Sequence, residues 1–257
     1  MSAWGSKSER VREHVLDLVE TMAVGDRIPA ERKLAEELDV SRMTLRGVID
    51  DLVREGYLNR RHGSGSYVAE PKIAQPLTMT SFSDDMRLRG FVPSGRTLEL
   101  VTVAAGARLA RRLQVSPTEP VVRALRLRLA DDVPMAIETL HVLAALVPGL
   151  TADDLEHSSF YDLLAARYGV QLGTGAQVIE PTVTSEEESA RLGVPVHSPA
   201  FLFERTTRDR AGAVVEFVRS IYRGDRYQLT ATLLAPKRRD QDRARSGPAP
   251  TIAESHS

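Results

Sequence analysis

The spacing of apolar residues changes near residue 70 of this chain. Before that point they recur every three or four residues, as on one face of a helix, and after residue 76 they alternate with polar residues, as on one face of a strand. Helices and sheets bury these faces in different layers, so a chain of 257 residues with the two periods in separate parts indicates two domains. The predicted fold class is α+β.

Residues 1–69 are predicted to form three helices followed by a two-stranded hairpin. Pro29 is predicted to lie in the first turn of the second helix. Ser41 is predicted to cap the N-terminus of the third helix, and Gly56 to end that helix in the left-handed conformation. This order is typical of a winged helix-turn-helix domain. The elements whose bounds the pattern defines are a helix at residues 6–22 and strands at residues 57–61 and 67–69.

Residues 77–236 are predicted to form a second domain, an α/β or α+β unit built on a mainly antiparallel sheet. Residues 70–76 are interpreted as a linker because two prolines disfavour regular structure there, and the polar residues 237–257 as a disordered tail. Strands are expected at residues 96–103, 121–130, 134–142, 177–184, 200–209, 214–222 and 228–234, and helices at residues 107–114, 159–168 and 185–192.

The net charge of −1 means that any affinity for DNA must come from local placement of charge. Two windows contain no acid: residues 40–49, which hold Arg42 and Arg46, and residues 56–69, which hold Arg60, Arg61 and His62. Arg42 and Arg46 are four residues apart, so they share the outer face of the third helix, where guanidinium groups can pair with guanine edges in the major groove. The alternative is an ordinary solvated helix face.

The turn of the hairpin predicts a second DNA contact. Gly63 and Gly65 allow the backbone to approach phosphates or the minor groove, and His62 and Ser64 offer hydrogen-bond donors. The alternative is a simple flexible turn. DNA binding is favoured because three features occur together: a basic helix face, a glycine-rich turn and the element order of a winged helix.

Arg126 and Arg128 alternate onto one face of a predicted strand. Two parallel guanidinium groups repel each other unless an anion lies between them, which predicts a phosphate or carboxylate ligand; the alternatives are an internal salt bridge and an exposed sheet face. Glu138 on the next strand is flanked by apolar residues and needs those arginines or a ligand as partner. Glu216 and Tyr222, six residues apart, repeat this pattern on one face of another strand.

Other classes of function lack their sequence signals. There is no cysteine, the six histidines show no metal-ligand spacing, and no phosphate-binding loop, nucleophile elbow or dinucleotide fingerprint is present. We therefore expect no cofactor, no metal and no catalytic residues. No apolar run approaches a membrane span and the N-terminus lacks a secretory signal, so a cytoplasmic protein without a membrane partner is expected.

Residues 29–46 (PAERKLAEELDVSRMTLR), 51–56 (DLVREG) and 62–65 (HGSG) resemble the GntR family of bacterial transcriptional regulators. Gly47 departs from the longer polar residues common there. The resemblance implies the following DNA contacts: Arg32 with a phosphate or a base, Ser41 and Thr44 with phosphates, Arg42 and Arg46 with bases, and His62, Gly63, Ser64 and Gly65 through the wing.

Residues 75–236 resemble the UTRA effector domain of the HutC subfamily, which has a chorismate lyase-like fold. The phrases that carry the resemblance are LTMTSFSDDMRLRG (77–90), PMAIE (134–138), SSFYDLL (158–164) and VEFVRSIYRGDRY (215–227), which are most similar to the branch that senses N-acetylglucosamine-6-phosphate or glucosamine-6-phosphate. The resemblance implies a phosphate site at Ser81, Phe82, Ser83, Arg126, Arg128, Ser159 and Tyr161, and a sugar site at Glu138, Glu216 and Tyr222.

These patterns predict a sequence-specific DNA-binding regulator. Its partners would be a palindromic operator, a second copy of the chain in a homodimer, and a phosphorylated small molecule. The resemblance implies that it is mainly a repressor and that the small molecule relieves its binding to DNA. The alternatives are a chorismate lyase-like enzyme, which a turnover assay would reveal, and an effector-independent DNA-binding protein, which leaves the second domain without a role.

Overall fold

The first part of the chain forms three helices and a hairpin in the computed structural model, which describes residues 7–61, 64–76 and 78–231. The two strands pair antiparallel. The elements are α1 (Lys7–Thr21), α2 (Glu31–Glu37), α3 (Arg42–Arg54), β1 (Leu58–Arg61) and β2 (Gly65–Val68). This is the order that the sequence predicted.

One apolar core holds these elements together. Val11 and Val15 of α1, Leu34 of α2, and Leu45 and Ile49 of α3 are at most 1% exposed. The helical spacing of each set places it on one face, and the three faces meet. Burial of this core fixes the angle at which α3 presents its opposite face to solvent.

Local signals define the ends of α3. The Ser41 side chain accepts a hydrogen bond from the Thr44 backbone N–H at 3.1 Å, as predicted for its cap. Asp39 adopts the left-handed conformation (φ 51°) and turns the chain tightly between α2 and α3. Gly56 is also left-handed (φ 82°), so its predicted role at the end of α3 is confirmed.

Two predictions for this part are wrong by more than a shift of one residue at the end of an element. Pro29 lies outside the first turn of α2, because Ala30 is the extended N-cap and the helix begins at Glu31. Strand β2 begins at Gly65 and not at residue 67, because Gly65 pairs in register with Arg61. His62 and Gly63 of the predicted wing lie outside the described residues.

A six-stranded antiparallel sheet in the order β4-β5-β6-β9-β8-β7 forms the second part. Its strands are β4 (Pro93–Ala104), β5 (Pro120–Ala130), β6 (Val133–Leu143), β7 (Leu172–Val183), β8 (Pro199–Asp209) and β9 (Val214–Arg223). Its helices are α4 (Phe82–Leu88), α5 (Gly106–Leu113), α6 (Ala152–His157), α7 (Phe160–Tyr168) and α8 (Glu186–Leu192), with a 3-10 turn at Ala144–Leu146.

Helices cover both faces of this sheet. On one face α6 and α7 pack against Val122, Ala124 and Leu140, and α4 packs beside them. On the other face α8 and α5 pack over separate areas, α8 against Ile137 and α5 against Phe217. Alternation along each strand therefore sends neighbouring residues into different layers.

The predicted linker is partly regular. Residues 73–76 form β3 (Ile73–Pro76), which pairs in parallel with β10 (Tyr227–Thr230) at the other end of the chain. The expectation that prolines keep this segment irregular is therefore wrong for β3. Pro71 lies before the strand and Pro76 is its last residue, so neither proline occupies its interior.

The remaining predictions for the second part differ from the structure mainly at their ends. The capping box of Ser185 and Glu188 is present at α8. Helices α4 and α6 were not predicted, and the last strand ends at Thr230 rather than residue 234. The predicted disordered tail, residues 237–257, lies outside the described residues.

Candidate DNA interface and effector pocket

The outer face of α3 carries exposed arginines. Arg42 and Arg46 are exposed, and Met43 between them is 79% exposed. The first turn of α3 contains no acid, and neither arginine forms an ion pair within the described part of the chain. This face therefore combines free positive charge with an apolar side chain that could contact a thymine methyl group. The sequence pattern had indicated no role for Met43.

The three other residues predicted for the helices lie beside this face. Ser41 and Thr44 share a hydrogen bond of 2.9 Å between their hydroxyl oxygens at the start of α3. Arg32 is on the surface of α2, with its side chain 74% exposed and its Nε 3.9 Å from Glu36. An exposed pair of this kind is weak and leaves Arg32 available to a phosphate.

The hairpin contributes a second basic surface. The guanidinium carbon of Arg61 lies 4.3 Å from the centre of the Tyr67 ring, and the Ser64 and Tyr67 hydroxyl groups are hydrogen-bonded to each other. Gly65 is left-handed (φ 114°), and a Cβ there would lie 2.8 Å from Nε of exposed Arg27. Arg27 is a further cation that the sequence pattern did not single out.

Arg60 does not belong to this free surface. Its guanidinium group pairs with Asp50 and lies 3.4 Å from Glu31. The absence of acids from residues 56–69 was therefore misleading for Arg60, because acids from α2 and α3 approach it in space.

A buried polar pocket, called here the central pocket, lies between the sheet and the helices α4 and α7. It brings together side chains from four strands and two helices. Its lining residues are Ser81, Phe82, Ser83, Arg126, Arg128, Glu138, Leu140, Phe160, Tyr161, Arg205, Glu216 and Val218. Eight of the ten predicted effector residues are therefore in one place.

Arg126 forms an internal ion pair in this pocket. It is 2% exposed, and its Nη1 donates to Glu138 Oε1 at 3.0 Å while its Nη2 donates to the Leu155 carbonyl. Burial, followed by the charge of Arg128, lowers the pKa of Arg126 to about 10. Burial also raises the pKa of Glu138, but Arg126, Arg128 and Arg205 outweigh it, so the net shift is downward. Both groups are charged at neutral pH.

Arg128 lacks such a partner. It is 4% exposed, its Nη2 donates to the Ser83 hydroxyl at 3.1 Å, and its guanidinium group lies 4.7 Å from the centre of the Phe82 ring. Its buried Nε has no hydrogen-bond partner, and no carboxylate in the described part of the chain pairs with it. Burial excludes an exposed sheet face for both arginines, and among the described residues an internal salt bridge is present for Arg126 but not for Arg128.

Glu216 lies at the other side of the pocket and is 1% exposed. Its Oε1 accepts hydrogen bonds of 2.8 Å from the hydroxyl groups of both Tyr161 and Thr207. Burial raises the pKa of this carboxyl group, and the charge of Arg205 only partly offsets it.

Two serines join the N-termini of α4 and α7. Ser81 caps α4 by accepting from the Asp84 N–H at 3.0 Å, and Ser159 donates to the Ser81 hydroxyl oxygen at 3.1 Å. Ser159 is itself the cap of α7. The first turns of both helices line the pocket, and helix N-termini attract anions.

Tyr222 and Arg205 border an adjoining small cavity together with Glu138. The ring of Tyr222 is 4.7 Å from the rings of Phe203 and Tyr227. Arg205 donates to the Thr80 carbonyl at 3.3 Å, lies over the Tyr161 ring and has a buried Nε without a partner. Sequence reasoning missed Arg205, although the alternation of Phe203, Arg205 and Thr207 along β8 was a signal for it.

The central pocket has a free volume of about 20 Å³, which is room for about one water molecule. Its own arginines, carboxylates and hydroxyl groups fill it. A wider cavity of about 260 Å³ adjoins it on the far side of Arg205. Within the described residues, no cluster of His, Cys, Asp and Glu suits a metal ion, and no helix is long and apolar enough to cross a membrane.

Family comparison agrees with this division of the chain. Residues 7–68 match the family described as bacterial regulatory proteins, gntR family, and residues 88–228 match the UTRA domain. The crystal structure of PhnF from Mycobacterium smegmatis is similar, with a TM-score of 0.62 and 32% identity, covering 88% of this chain and 99% of that chain. The predicted winged helix-turn-helix and UTRA fold is confirmed.

Characterised relatives are repressors. The HTH-type transcriptional repressor NagR of Bacillus subtilis (strain 168) is 36% identical over 201 residues, which are 78% of this chain and 82% of NagR. The histidine utilization repressor of Pseudomonas putida is 30% identical over 204 residues, which are 79% of this chain and 81% of that protein. These relatives support a regulator rather than an enzyme. The chain belongs to the GntR family, HutC subfamily, and is a transcriptional repressor with an N-terminal DNA-binding domain and a C-terminal UTRA effector domain.

Proposed function

We propose that the central pocket binds the phosphate of a phosphorylated amino sugar and that this binding releases the repressor from its operator. The observation that carries the proposal is Arg128, a buried cation with a free Nε and no carboxylate partner in the described part of the chain. Burying an uncompensated charge is costly, and an anionic ligand would offset that cost.

The groups around Arg128 match a phosphate. Arg126 supplies a second guanidinium group, Ser81 and Ser159 supply hydroxyl groups, and the first turns of α4 and α7 supply helix N-termini. Phosphate carries close to two negative charges and three acceptor oxygens at neutral pH, so it can engage several of these donors together.

The carboxylates match a sugar. Glu138 is ionised at neutral pH because the arginines hold its pKa down, so it can pair with an ammonium group or accept from hydroxyl and amide N–H groups. Glu216 and Tyr222 face the same two cavities and add further acceptors. The resemblance of residues 77–90, 134–138, 158–164 and 215–227 to the amino-sugar branch supports this choice of ligand.

The small free volume supports a ligand-coupled change of conformation. A sugar phosphate does not fit in about 20 Å³, so it must replace the Arg126–Glu138 pair or displace residues 81–83 at the start of α4. Ligand and internal contacts then compete for the same groups, which creates the differential affinity for two states that a population shift requires.

At the other end of the chain, we propose that a homodimer places two copies of α3 in successive major grooves of a palindromic operator. Arg42, Met43 and Arg46 would contact bases, and Arg32, Ser41 and Thr44 would contact phosphates. Gly65 and Ser64, with His62 and Gly63, would form the wing contact. The free arginines on α3 support these roles.

A gel-shift experiment on the promoter upstream of the protein's own gene tests the proposal. We expect glucosamine-6-phosphate or N-acetylglucosamine-6-phosphate to weaken the complex, and glucosamine without phosphate to leave it unchanged. The variant Arg128→Ala should bind the same DNA but lose the response to the sugar. An equal response to the unphosphorylated sugar, or none to any phosphorylated amino sugar, would contradict the assigned ligand.

A further inference from the structure

A groove of about 390 Å³ lies on the sheet face opposite the central pocket. This sheet groove is formed by α5 and by residues of β4, β5, β6, β8 and β9. Alternation separates it from the central pocket, since Phe217 and Arg219 line the groove whereas Glu216 and Val218 line the pocket. Its volume falls within the range of small-molecule sites in proteins.

The charge of the sheet groove is strongly unbalanced. Four arginines line it against one carboxylate, Glu204. The lining arginines are Arg108, Arg112, Arg123 and Arg219. Such a surplus creates a positive potential in a concave, partly desolvated place, where it acts over a longer range than on a flat surface.

The acids nearby offset only part of this positive charge. Glu204 is shared between Arg112, at 2.8 Å, and Arg108, at 4.0 Å. Arg123 pairs with Glu99 through its Nη2 at 2.7 Å, but its buried Nε has no hydrogen-bond partner.

Arg219 is the clearest candidate to hold a ligand. It lies directly across the strands from Glu204, yet within the described part of the chain it forms no ion pair, because Glu204 is engaged by α5. Its side chain is partly exposed and stands between Thr139 of β6 and Glu204 of β8. A guanidinium group held there can bind an oxyanion through two parallel N–H···O hydrogen bonds.

The apolar part of the sheet groove limits the kind of ligand. Val103, Leu109 and Phe217 contribute to its wall, and Arg112 lies 5.3 Å from the centre of the Phe217 ring. A bare inorganic ion would leave this wall unused. We propose that the sheet groove is a second ligand site, for a small organic anion that carries phosphate or carboxylate groups on an apolar or planar body.

An occupant of the sheet groove would contact the strands that carry the central pocket. Residues 216–219 of β9 alternate between the two sites, and Glu204 and Arg205 of β8 do the same. A ligand in the sheet groove would therefore contact β8 and β9 from the face opposite the central pocket. The site does not depend on what the central pocket binds.

Calorimetric titration of the full chain at low salt tests this inference. The probes are phenyl phosphate, inorganic phosphate and citrate. We expect phenyl phosphate or citrate to bind, phenyl phosphate more tightly than inorganic phosphate, and Arg219→Gln to weaken binding about tenfold, the loss of one charge-assisted hydrogen bond. A response to phenyl phosphate alone identifies phosphate esters as the class, and a response to citrate alone identifies carboxylates.

Arg111→Gln is the matched control, because Arg111 is an exposed arginine of α5 outside the lining. It should bind the probes like the unaltered chain. Thermal unfolding confirms that each variant is folded. Equal binding by Arg219→Gln, which would place the probe elsewhere, or no binding of any probe overturns the inference. A change of sedimentation in Arg219→Gln without any probe binding assigns the groove to contact between copies and also overturns it.

Discussion

Gly56 packs directly against the backbone of Asp225, so that a Cβ on Gly56 would lie only 2.0 Å from the Asp225 carbonyl oxygen. Gly56 follows α3, and Asp225 lies in the turn between β9 and β10. Arg223 holds that turn through hydrogen bonds to both carboxylate oxygens of Asp225. The helix that we propose reads DNA thus rests on the end of the strand that carries Glu216 and Tyr222.

Gly56→Ala should separate the two domains. The added methyl group collides with backbone that cannot yield, and the left-handed φ of 82° adds strain of about 1 kcal/mol. We expect a lower free energy of unfolding in urea and faster proteolysis within residues 70–76.

Gly25→Ala is the control for backbone strain alone. Gly25 is in the same domain with nearly the same φ of 84°, and nothing lies within 4 Å of a Cβ there. If the two variants lose the same stability and show the same proteolysis, the contact with Asp225 is not present in solution.

Arg46→Ala should weaken operator binding. If Arg46 forms two hydrogen bonds with a guanine edge, its loss costs about 1–3 kcal/mol of binding free energy. Fluorescence anisotropy should then show a weaker complex with the operator and a smaller change in affinity for random DNA. Arg54→Ala is the control, since Arg54 lies in the last turn of the same helix and pairs with Asp51. Equal effects of the two substitutions would exclude a base contact at Arg46.

Arg126→Ala and Arg128→Ala should differ in stability. Removing Arg126 leaves the buried Glu138 carboxylate without its ion pair, which costs about 3–5 kcal/mol. Removing Arg128 leaves no carboxylate of the described residues without its partner, so we expect a smaller loss of stability. Urea unfolding of both variants without ligand measures the difference. A larger loss for Arg128→Ala would show that Arg128 has an internal partner of its own.

Glu216→Gln and Glu138→Gln should change the pH dependence of stability in opposite directions. Because the pKa of Glu216 is raised above 4.5, the folded chain binds more protons than the unfolded chain just above that pH, and its free energy of unfolding falls as pH rises through this interval. Glu216→Gln should remove that fall.

The pKa of Glu138 is lowered, so its contribution is present above pH 4.5 and is lost as pH falls through the folded pKa. Glu138→Gln should lower stability at neutral pH and remove that loss in acid. Urea unfolding at a series of pH values, from below 4.5 to neutral, measures both effects. Parallel profiles for the two variants would contradict these pKa directions.

Much of the candidate site followed from alternation along single strands. The rule that neighbours point to opposite faces placed Arg126 and Arg128 together, and the register of β5 with β6 puts Glu138 directly opposite Arg126. The same rule applied to β8 would have included Arg205. It was missed because β8 contains other charged residues, which obscure the alternation.

Features that join distant parts of the chain were not predictable in this way. Strand β3 looked like a linker because its partner, β10, lies near the far end of the second domain in the sequence. Arg60 looked free because the acids that neutralise it come from α2 and α3. In both cases the partner that determines the structure lies far away in the sequence, so the residues around β3 or Arg60 do not reveal it.

The amino-acid sequence by itself determined most of the helices and strands, the cap at Ser41, the left-handed end at Gly56 and the family, because these depend on spacing and on the conformational preferences of nearby residues. Tertiary structure alone decided which arginines stay unpaired, that the central pocket is closed by its own side chains, and that Gly56 meets Asp225. Those outcomes depend on which groups approach each other once the sheet and helices are packed, since burial and the distance to an opposite charge exist only in the folded chain.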